Sequence, residues 1–136
     1  RVLLVGWSQG ASMAIAAVSG VKARSPIQGV VTLNLPLTGV LGWDWKATMA
    51  VVARREPDQP TFTVKPLLGG AAPVPVWMIY GTEDEWTRLD SAKGLYQAAS
   101  EPKQWVEIAG ANHRFDGHQD ELFRAMEKGL TWVGSN

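Results

Sequence analysis

The sequence lacks several features, and each absence excludes a class of protein or site. Its 136 residues contain no cysteine, which excludes disulfides and thiolate metal sites. Thirteen basic and thirteen acidic residues cancel, so the charge gives no reason to expect nucleic acid as a partner. No apolar run is long enough to span a membrane. The length is that of one domain with a sizeable hydrophobic core.

The most informative stretch is the motif Gly-Trp-Ser-Gln-Gly at residues 6–10. Before it, residues 2–5 form a short apolar run typical of a strand buried on both faces. After it, residues 11–18 are small and apolar with several alanines, which favours a helix. The pattern predicts a strand–turn–helix unit with Ser8 on a sharp turn.

So tight a turn constrains the residues around Ser8. The serine backbone is held in a strained conformation that pushes its hydroxyl out of the fold. The turn is expected to force positions 6 and 10 close together, where a Cβ would clash, which explains why both are glycine. The N–H of Gln9, at the start of the helix, points to where negative charge would develop on an attacked carbonyl oxygen. These features favour Ser8 as a nucleophile.

The rest of the chain predicts an α/β fold. Hydrophobic periodicity predicts three more strands and two more helices, at residues 29–35, 74–80 and 104–108 and at residues 89–99 and 118–133. A polar connection at residues 21–26 separates the first helix from the second strand. This alternation predicts a mostly parallel sheet with helices on both faces.

Residues 36–73 are different, because they are rich in glycine and proline and show poor periodicity. Within them, residues 43–54 could form one helix. A long irregular insertion between core strands is often a lid or a binding loop. Its Trp43 and Trp45 either line an apolar pocket or cover the sheet. Trp7, beside the serine of the motif, is a third candidate for substrate binding.

Three segments resemble the α/β-hydrolase family. Residues 6–10 resemble its nucleophile motif, residues 79–84 (Ile-Tyr-Gly-Thr-Glu-Asp) its acid turn, and residues 110–115 (Gly-Ala-Asn-His-Arg-Phe) its histidine loop. The order Ser, Asp, His along the chain is also the order of the family. The sequence Phe-Asp-Gly at residues 115–117 is similar to the VirJ-like bacterial virulence proteins, a branch of this fold.

The resemblance implies a catalytic triad. It gives Ser8 the role of nucleophile, His113 that of the base and Asp84 that of the acid, which holds the imidazole in one tautomer. The backbone N–H of Gln9 would bind the oxyanion.

Neighbouring residues compete for two of these roles. Glu83 and Glu85 flank Asp84 and are alternatives for the carboxylate. The only other histidine, His118, is expected to be a solvated residue in the first turn of the last helix. Asp90 is interpreted as an N-terminal residue of its helix, not as a catalytic group.

The two histidines lie five positions apart with Asp116 between them. This group could suggest a metal, but the resemblance to the family explains His113 better, and we expect no metal. Asp116 and Gln119 instead have the spacing of a capping box at the start of the last helix.

The function implied by the resemblance is that of a serine hydrolase. It would cleave carboxylic esters or thioesters through an acyl-enzyme, without a cofactor, and its partner would be a small ester or acyl substrate. One alternative is a triad hydrolase that acts on peptides, C–C bonds or aminoacyl lipids. Another is a catalytically silent hydrolase fold that serves as a binding protein.

The resemblance covers the whole chain and implies that residues 1–136 are the C-terminal part of a single domain. Arg1 is followed at once by a core strand, with no initiator methionine before it. In the family, about four strands precede the nucleophile strand, and the loop after the third of them supplies a second oxyanion donor. We therefore expect a missing N-terminal half, and association through residues 2–5 when that half is absent.

Overall fold

The computed structural model describes residues 2–20 and 26–136. Most of the polar connection predicted at residues 21–26 therefore lies outside the described residues. The strands are β1 (Val2–Trp7), β2 (Ile27–Leu33), β3 (Thr38–Val40), β4 (Thr61–Thr63), β5 (Val76–Gly81) and β6 (Lys103–Ile108). The helices are α1 (Gln9–Val18), α2 (Trp45–Val52), α3 (Lys65–Gly69), α4 (Leu89–Ala98) and α5 (Gln119–Ser135).

The four longer strands form one sheet in the order β1-β2-β5-β6, and each neighbouring pair is parallel. This confirms the predicted sheet. Because parallel strands all end at the same side of a sheet, the segments that follow them meet there. These segments carry Ser8 after β1, Asp84 after β5 and His113 after β6.

Helices cover both faces of the sheet, as predicted. On one face α1, α3 and α4 bury Ile15, Leu68 and Leu95, none of which has exposed surface. On the other face α5 packs against β2 and β5 and buries Ala125 and Val133. Both faces of the sheet are therefore apolar, which explains why its central strands read as continuous hydrophobic runs.

The segment at residues 36–73 contains more regular structure than its composition indicates. A helix was expected within residues 43–54, and α2 lies there, with the Asp44 side chain accepting a hydrogen bond from Ala47 N at 2.9 Å. The segment also holds the antiparallel pair β3-β4 and the short helix α3. Strands of three residues are too short to produce a periodic pattern, so sequence analysis missed them.

The last helix begins within one residue of its predicted start, but the cap predicted at Asp116 is wrong. The N-cap position of α5 belongs to His118, and the Asp116 carboxylate accepts a hydrogen bond from Asn112 Nδ2 at 3.0 Å. The side chain of Asp116 thus closes the loop that contains His113. Asp90, by contrast, lies in the first turn of α4, as expected.

Strand β1 lies at one end of the described sheet. It pairs with β2 on one side, and Val2, Leu3 and Val5 are 43, 37 and 46% exposed. An apolar strand of this kind presents unpaired backbone groups together with apolar side chains.

Candidate active site

Ser8 occupies a strained turn between β1 and α1. Its φ of 52° and ψ of −120° lie outside the regions that L-residues usually adopt, at a cost of roughly 1–3 kcal/mol. Backbone hydrogen bonds hold the turn, because Ser8 N donates to Leu33 O at 2.9 Å and Ala11 N donates to Ser8 O at 2.9 Å. The predicted sharp strand–turn–helix unit is therefore present.

Only one of the two glycines of the motif is required for space. A Cβ on Gly6 would lie 2.5 Å from Gly10 O and 2.6 Å from Ala11 N, so only glycine fits there. A Cβ on Gly10 would meet nothing within 4 Å, so the predicted clash at Gly10 is wrong. The turn brings the carbonyl of Gly10 towards Gly6, whereas the Cβ direction of Gly10 leads into open space.

Ser8, His113 and Asp84 form a continuous chain of hydrogen bonds. His113 Nε2 lies 2.9 Å from Ser8 Oγ, and His113 Nδ1 lies 3.0 Å from each carboxylate oxygen of Asp84. His113 and Asp84 are only 8 and 6% exposed. Since an ionised carboxylate only accepts, Nδ1 carries the proton and Nε2 accepts from the serine hydroxyl. We call this arrangement the Ser8–His113–Asp84 array.

The Asp84 carboxylate is held by more than the imidazole. Its Oδ1 accepts hydrogen bonds from the backbone N–H groups of Trp86, at 2.8 Å, and Thr87, at 3.2 Å. The acid turn therefore wraps around its own carboxylate. Together with the contact to His113 Nδ1, these donors fix the orientation of the carboxylate.

The two competing carboxylates have other surroundings. Glu83 is exposed. Glu85 is also exposed, and its Oε2 accepts a hydrogen bond from the backbone N of His113 at 3.0 Å. Glu85 therefore contacts the backbone of His113, whereas Asp84 contacts its ring.

Two further side chains hold the carbonyl oxygen of His113. Trp7 Nε1 donates to it at 3.0 Å and Asn34 Nδ2 at 2.9 Å. Sequence analysis missed Asn34, which follows β2 directly. An asparagine immediately after a buried strand and two residues before a proline was the available signal, because asparagine tolerates a left-handed backbone at such strand ends.

Aromatic side chains flank the imidazole. The ring of Trp7 lies 5.6 Å from that of His113, and the ring of Trp86 lies 6.2 Å away in an edge-on orientation. The guanidinium of Arg54, just after α2, lies 5.9 Å from the Trp86 ring. Trp7 and Trp86 are 48 and 44% exposed, so both indoles remain accessible beside the base. Sequence analysis did not single out Trp86.

The other predicted tryptophans lie in the 36–73 segment. Trp43 Nε1 donates to Thr48 Oγ1 at 3.0 Å, which links it to α2. Trp45, the first residue of α2, is 71% exposed. Its large exposed surface is not that of a side chain covering the sheet.

Gln9 connects the turn to the same segment. Its side-chain amide pairs with the backbone of Val40 in β3, with Nε2 donating to Val40 O at 2.6 Å and Oε1 accepting from Val40 N at 3.0 Å. Its own backbone N–H belongs to the first turn of α1, where such groups have no partner within the helix.

Tyr80 is the ionisable group most affected by this environment. Burial, and secondarily the negative charge of Asp84, raises the pKa of Tyr80 well above its ordinary value of 10.0. Its hydroxyl donates to Leu35 O at 2.8 Å. Tyr80 therefore stays neutral over the whole range in which an imidazole can act as a base.

Within residues 2–20 and 26–136, no three side chains of His, Cys, Asp or Glu form a cluster that could hold a metal ion. None of the helices described there is long and apolar enough to cross a membrane.

Comparison with known proteins identifies the fold. No protein-family model and no curated protein matches the sequence. Among solved structures, the esterase domain of a Rhodothermus marinus protein aligns with 96% of this chain at 18% identity, with a TM-score of 0.65. An α/β serine hydrolase homologue from Coxiella burnetii aligns with 94% at 19% identity and a TM-score of 0.62. Est1E from Butyrivibrio proteoclasticus aligns with 97% at 16% identity and a TM-score of 0.66.

The alignments leave part of each solved structure unmatched. This chain covers 59% of the Rhodothermus chain, 48% of the Coxiella chain and 61% of the Butyrivibrio chain. It therefore spans about half to three fifths of their length. Over its own length, the order and direction of its strands and helices are those of an α/β-hydrolase fold.

Proposed function

We propose that this protein is a serine hydrolase that cleaves carboxylic esters or thioesters. The observation that carries the proposal is the Ser8–His113–Asp84 array, with distances of 2.9 and 3.0 Å, at the strained turn that follows β1. A serine hydroxyl needs a base to take its proton as it attacks, and an imidazole does this near neutral pH.

In the proposed reaction, Ser8 Oγ attacks the carbonyl carbon while His113 Nε2 takes the hydroxyl proton. Asp84 keeps the proton of the imidazole on Nδ1 and stabilises the positive charge that forms on the ring. The N–H of Gln9 donates to the oxyanion. Collapse of the intermediate releases the alcohol or thiol, to which His113 returns the proton, and leaves an acyl group on Ser8. Water, activated by His113, then hydrolyses this acyl-enzyme.

The surroundings of the imidazole favour an apolar group on the substrate. Trp7 and Trp86 each expose nearly half of a large side chain beside His113. Indole rings of this kind bind acyl chains and aromatic groups through apolar contact area. We include Trp7 in the proposed substrate site, with Trp43 and Trp45 as candidates that a lid at residues 36–73 would contribute. One of the similar solved structures is described as an esterase domain, which supports an ester as the substrate.

Residues 1–136 would form the C-terminal part of one hydrolase domain. We propose that the rest of the fold pairs with β1 and supplies a second oxyanion donor. The exposed Val2, Leu3 and Val5 support this, as do the unmatched parts of the similar structures. Sedimentation of residues 1–136 alone should show association, and an ester assay on the same sample should show little turnover. A monomer with normal turnover would contradict the proposal.

The nucleophile is tested by labelling the full-length protein with a fluorophosphonate, which reacts with activated serines. The probe should label Ser8, and both labelling and hydrolysis of a p-nitrophenyl ester should be lost in Ser8→Ala. His118→Ala is the matched control for His113→Ala and should retain activity. Equal labelling of the Ser8→Ala protein would exclude this serine. A folded, unlabelled wild-type protein would favour the binding alternative.

A further inference from the structure

Every polar group of the His113 backbone is bonded to a side chain from a different strand end. The carbonyl oxygen accepts from Trp7, at the end of β1, and from Asn34, just after β2. The N–H donates to Glu85, in the turn after β5. The base is therefore fixed by its main chain as well as by the partners of its ring.

Asn34 is the most constrained of these three residues. It has no exposed surface, and its φ of 45° lies in the left-handed region. Its Nδ2 donates to His113 O at 2.9 Å and to Asn112 O at 3.3 Å. Its Oδ1 accepts from Gly81 N at 2.9 Å. One buried amide thus joins the histidine loop to the end of β5, three residues before Asp84.

We propose that Asn34 is a positioning residue for the reaction. Its amide holds the loop of the base and the strand of the acid in a fixed relation, so that the His113 ring meets Ser8 and Asp84 at the same time. This inference depends on the proposed function only in that it assumes a reaction at Ser8. It deepens that proposal by assigning a role to a residue that touches neither the substrate nor the ring.

The chemistry of the side chain matters as much as its size. An aspartate at position 34 has the same shape and can still accept from Gly81 N. It lacks the N–H donor, however, and would place an oxygen against the carbonyl oxygens of Asn112 and His113. A small displacement of a catalytic group can lower a rate about 100-fold. Loss of the donor should therefore act on turnover more than on substrate binding.

The experiment compares Asn34→Asp with wild type in the full-length protein, using p-nitrophenyl butyrate as substrate. Active sites are counted by fluorophosphonate titration to completion, so that unfolded molecules do not enter the rate. We expect kcat per titrated site to fall about 10- to 100-fold, with KM changed less than about twofold. Asn34→Gly suits the left-handed backbone and removes the amide. It should also lower kcat per titrated site, again with little change in KM.

Thr32→Val is the matched control. Thr32 is equally buried and lies two residues earlier in β2, and its Oγ1 has no hydrogen-bond partner within residues 2–20 and 26–136. The kcat of the Thr32→Val variant should equal that of wild type. Trp7→Phe removes the second donor to His113 O and keeps an aromatic ring beside the imidazole. The double variant of Asn34→Gly and Trp7→Phe should lose more than the product of the two single effects, because each single variant retains one donor.

A spectroscopic measurement separates this inference from the proposed function. With only two histidines in the sequence, ¹⁵N-labelled imidazole signals are simple to assign. Wild type should show His113 protonated on Nδ1, and Asn34→Asp should show a mixture of tautomers, whether or not a substrate has been found. Normal kcat per site with an unchanged tautomer would overturn the inference. Failure of both Asn34 variants to fold would overturn it too, since the amide would then serve the fold.

Discussion

Ser8 and His113 lie 2.9 Å apart, yet the molecule positions them in different ways. Ser8 is held mainly by its neighbours along the chain: the turn depends on the close approach of Gly6 to Gly10 and on the first hydrogen bonds of α1. His113 is held by side chains that lie 106, 79 and 28 residues away in the sequence, those of Trp7, Asn34 and Glu85. Ser8 is thus positioned mainly by local contacts and His113 by long-range ones.

This difference has a consequence for substitutions. A change at the turn acts on the backbone of β1 and α1 and so on stability, because a strained conformation persists only while its surroundings hold it. A change in any of three distant loops can move the histidine without unfolding the protein. Substitutions at the turn should therefore lower stability, whereas substitutions around His113 should lower turnover. The following predictions test that expectation.

The largest effect is expected from Asp84→Asn. The amide can donate to His113 Nδ1, which favours the wrong tautomer, so turnover should fall about 10⁴-fold while the fold remains intact. Steady-state kinetics and circular dichroism on the full-length protein would measure both. Glu83→Gln and Glu85→Gln are the matched controls and should be much milder, because neither carboxylate contacts the imidazole. A larger loss in either control would assign the acid to that residue.

A smaller effect, and on a different property, is expected from the glycines. Gly6→Ala places a Cβ 2.5 Å from a backbone oxygen and should lower the free energy of unfolding by about 1–3 kcal/mol or more. Gly10→Ala adds a methyl group in open space within α1 and should raise it by up to about 1 kcal/mol. Denaturant unfolding of the two variants would measure both changes in the free energy of unfolding. Equal destabilisation would mean that both glycines are needed for space, as the motif alone indicates.

The same contrast explains what could be predicted from sequence. The turn at Ser8, the parallel strands and the helix faces depend on neighbouring residues, so periodicity and a short motif indicate them. The hydrogen-bond partners of Asn34 lie 47 to 79 residues away, so no local sequence pattern predicts them. The pairing of Gln9 with β3 was missed for the same reason.

The error at Asp116 has a related cause. A carboxylate three residues before a glutamine matches a helix cap in sequence. In the fold, Asn112 donates to that carboxylate within the histidine loop, so it is not available to cap α5. The capping rule therefore failed because Asp116 accepts a hydrogen bond from Asn112 within the loop.

The smallest effect should appear at Tyr80, whose ionisation reports the charge on Asp84. Burial is the larger cause of the raised pKa of Tyr80, and the Asp84 charge is the smaller one. The tyrosinate absorbance of Asp84→Asn should therefore titrate at a lower pH than that of wild type, yet still above 10. Tyr80→Phe identifies the signal, and Glu85→Gln should leave it unchanged.

The same shift predicts how stability depends on pH. Because the pKa of Tyr80 is raised in the folded state, the folded protein retains a proton that the unfolded chain releases above about pH 10. The free energy of unfolding should fall as the pH rises from there towards the folded pKa, and Asp84→Asn should make this fall end at a lower pH. An identical titration of wild type and Asp84→Asn would mean that Asp84 carries no charge beside Tyr80. The Ser8–His113–Asp84 array would then lack the anion that its proposed reaction requires.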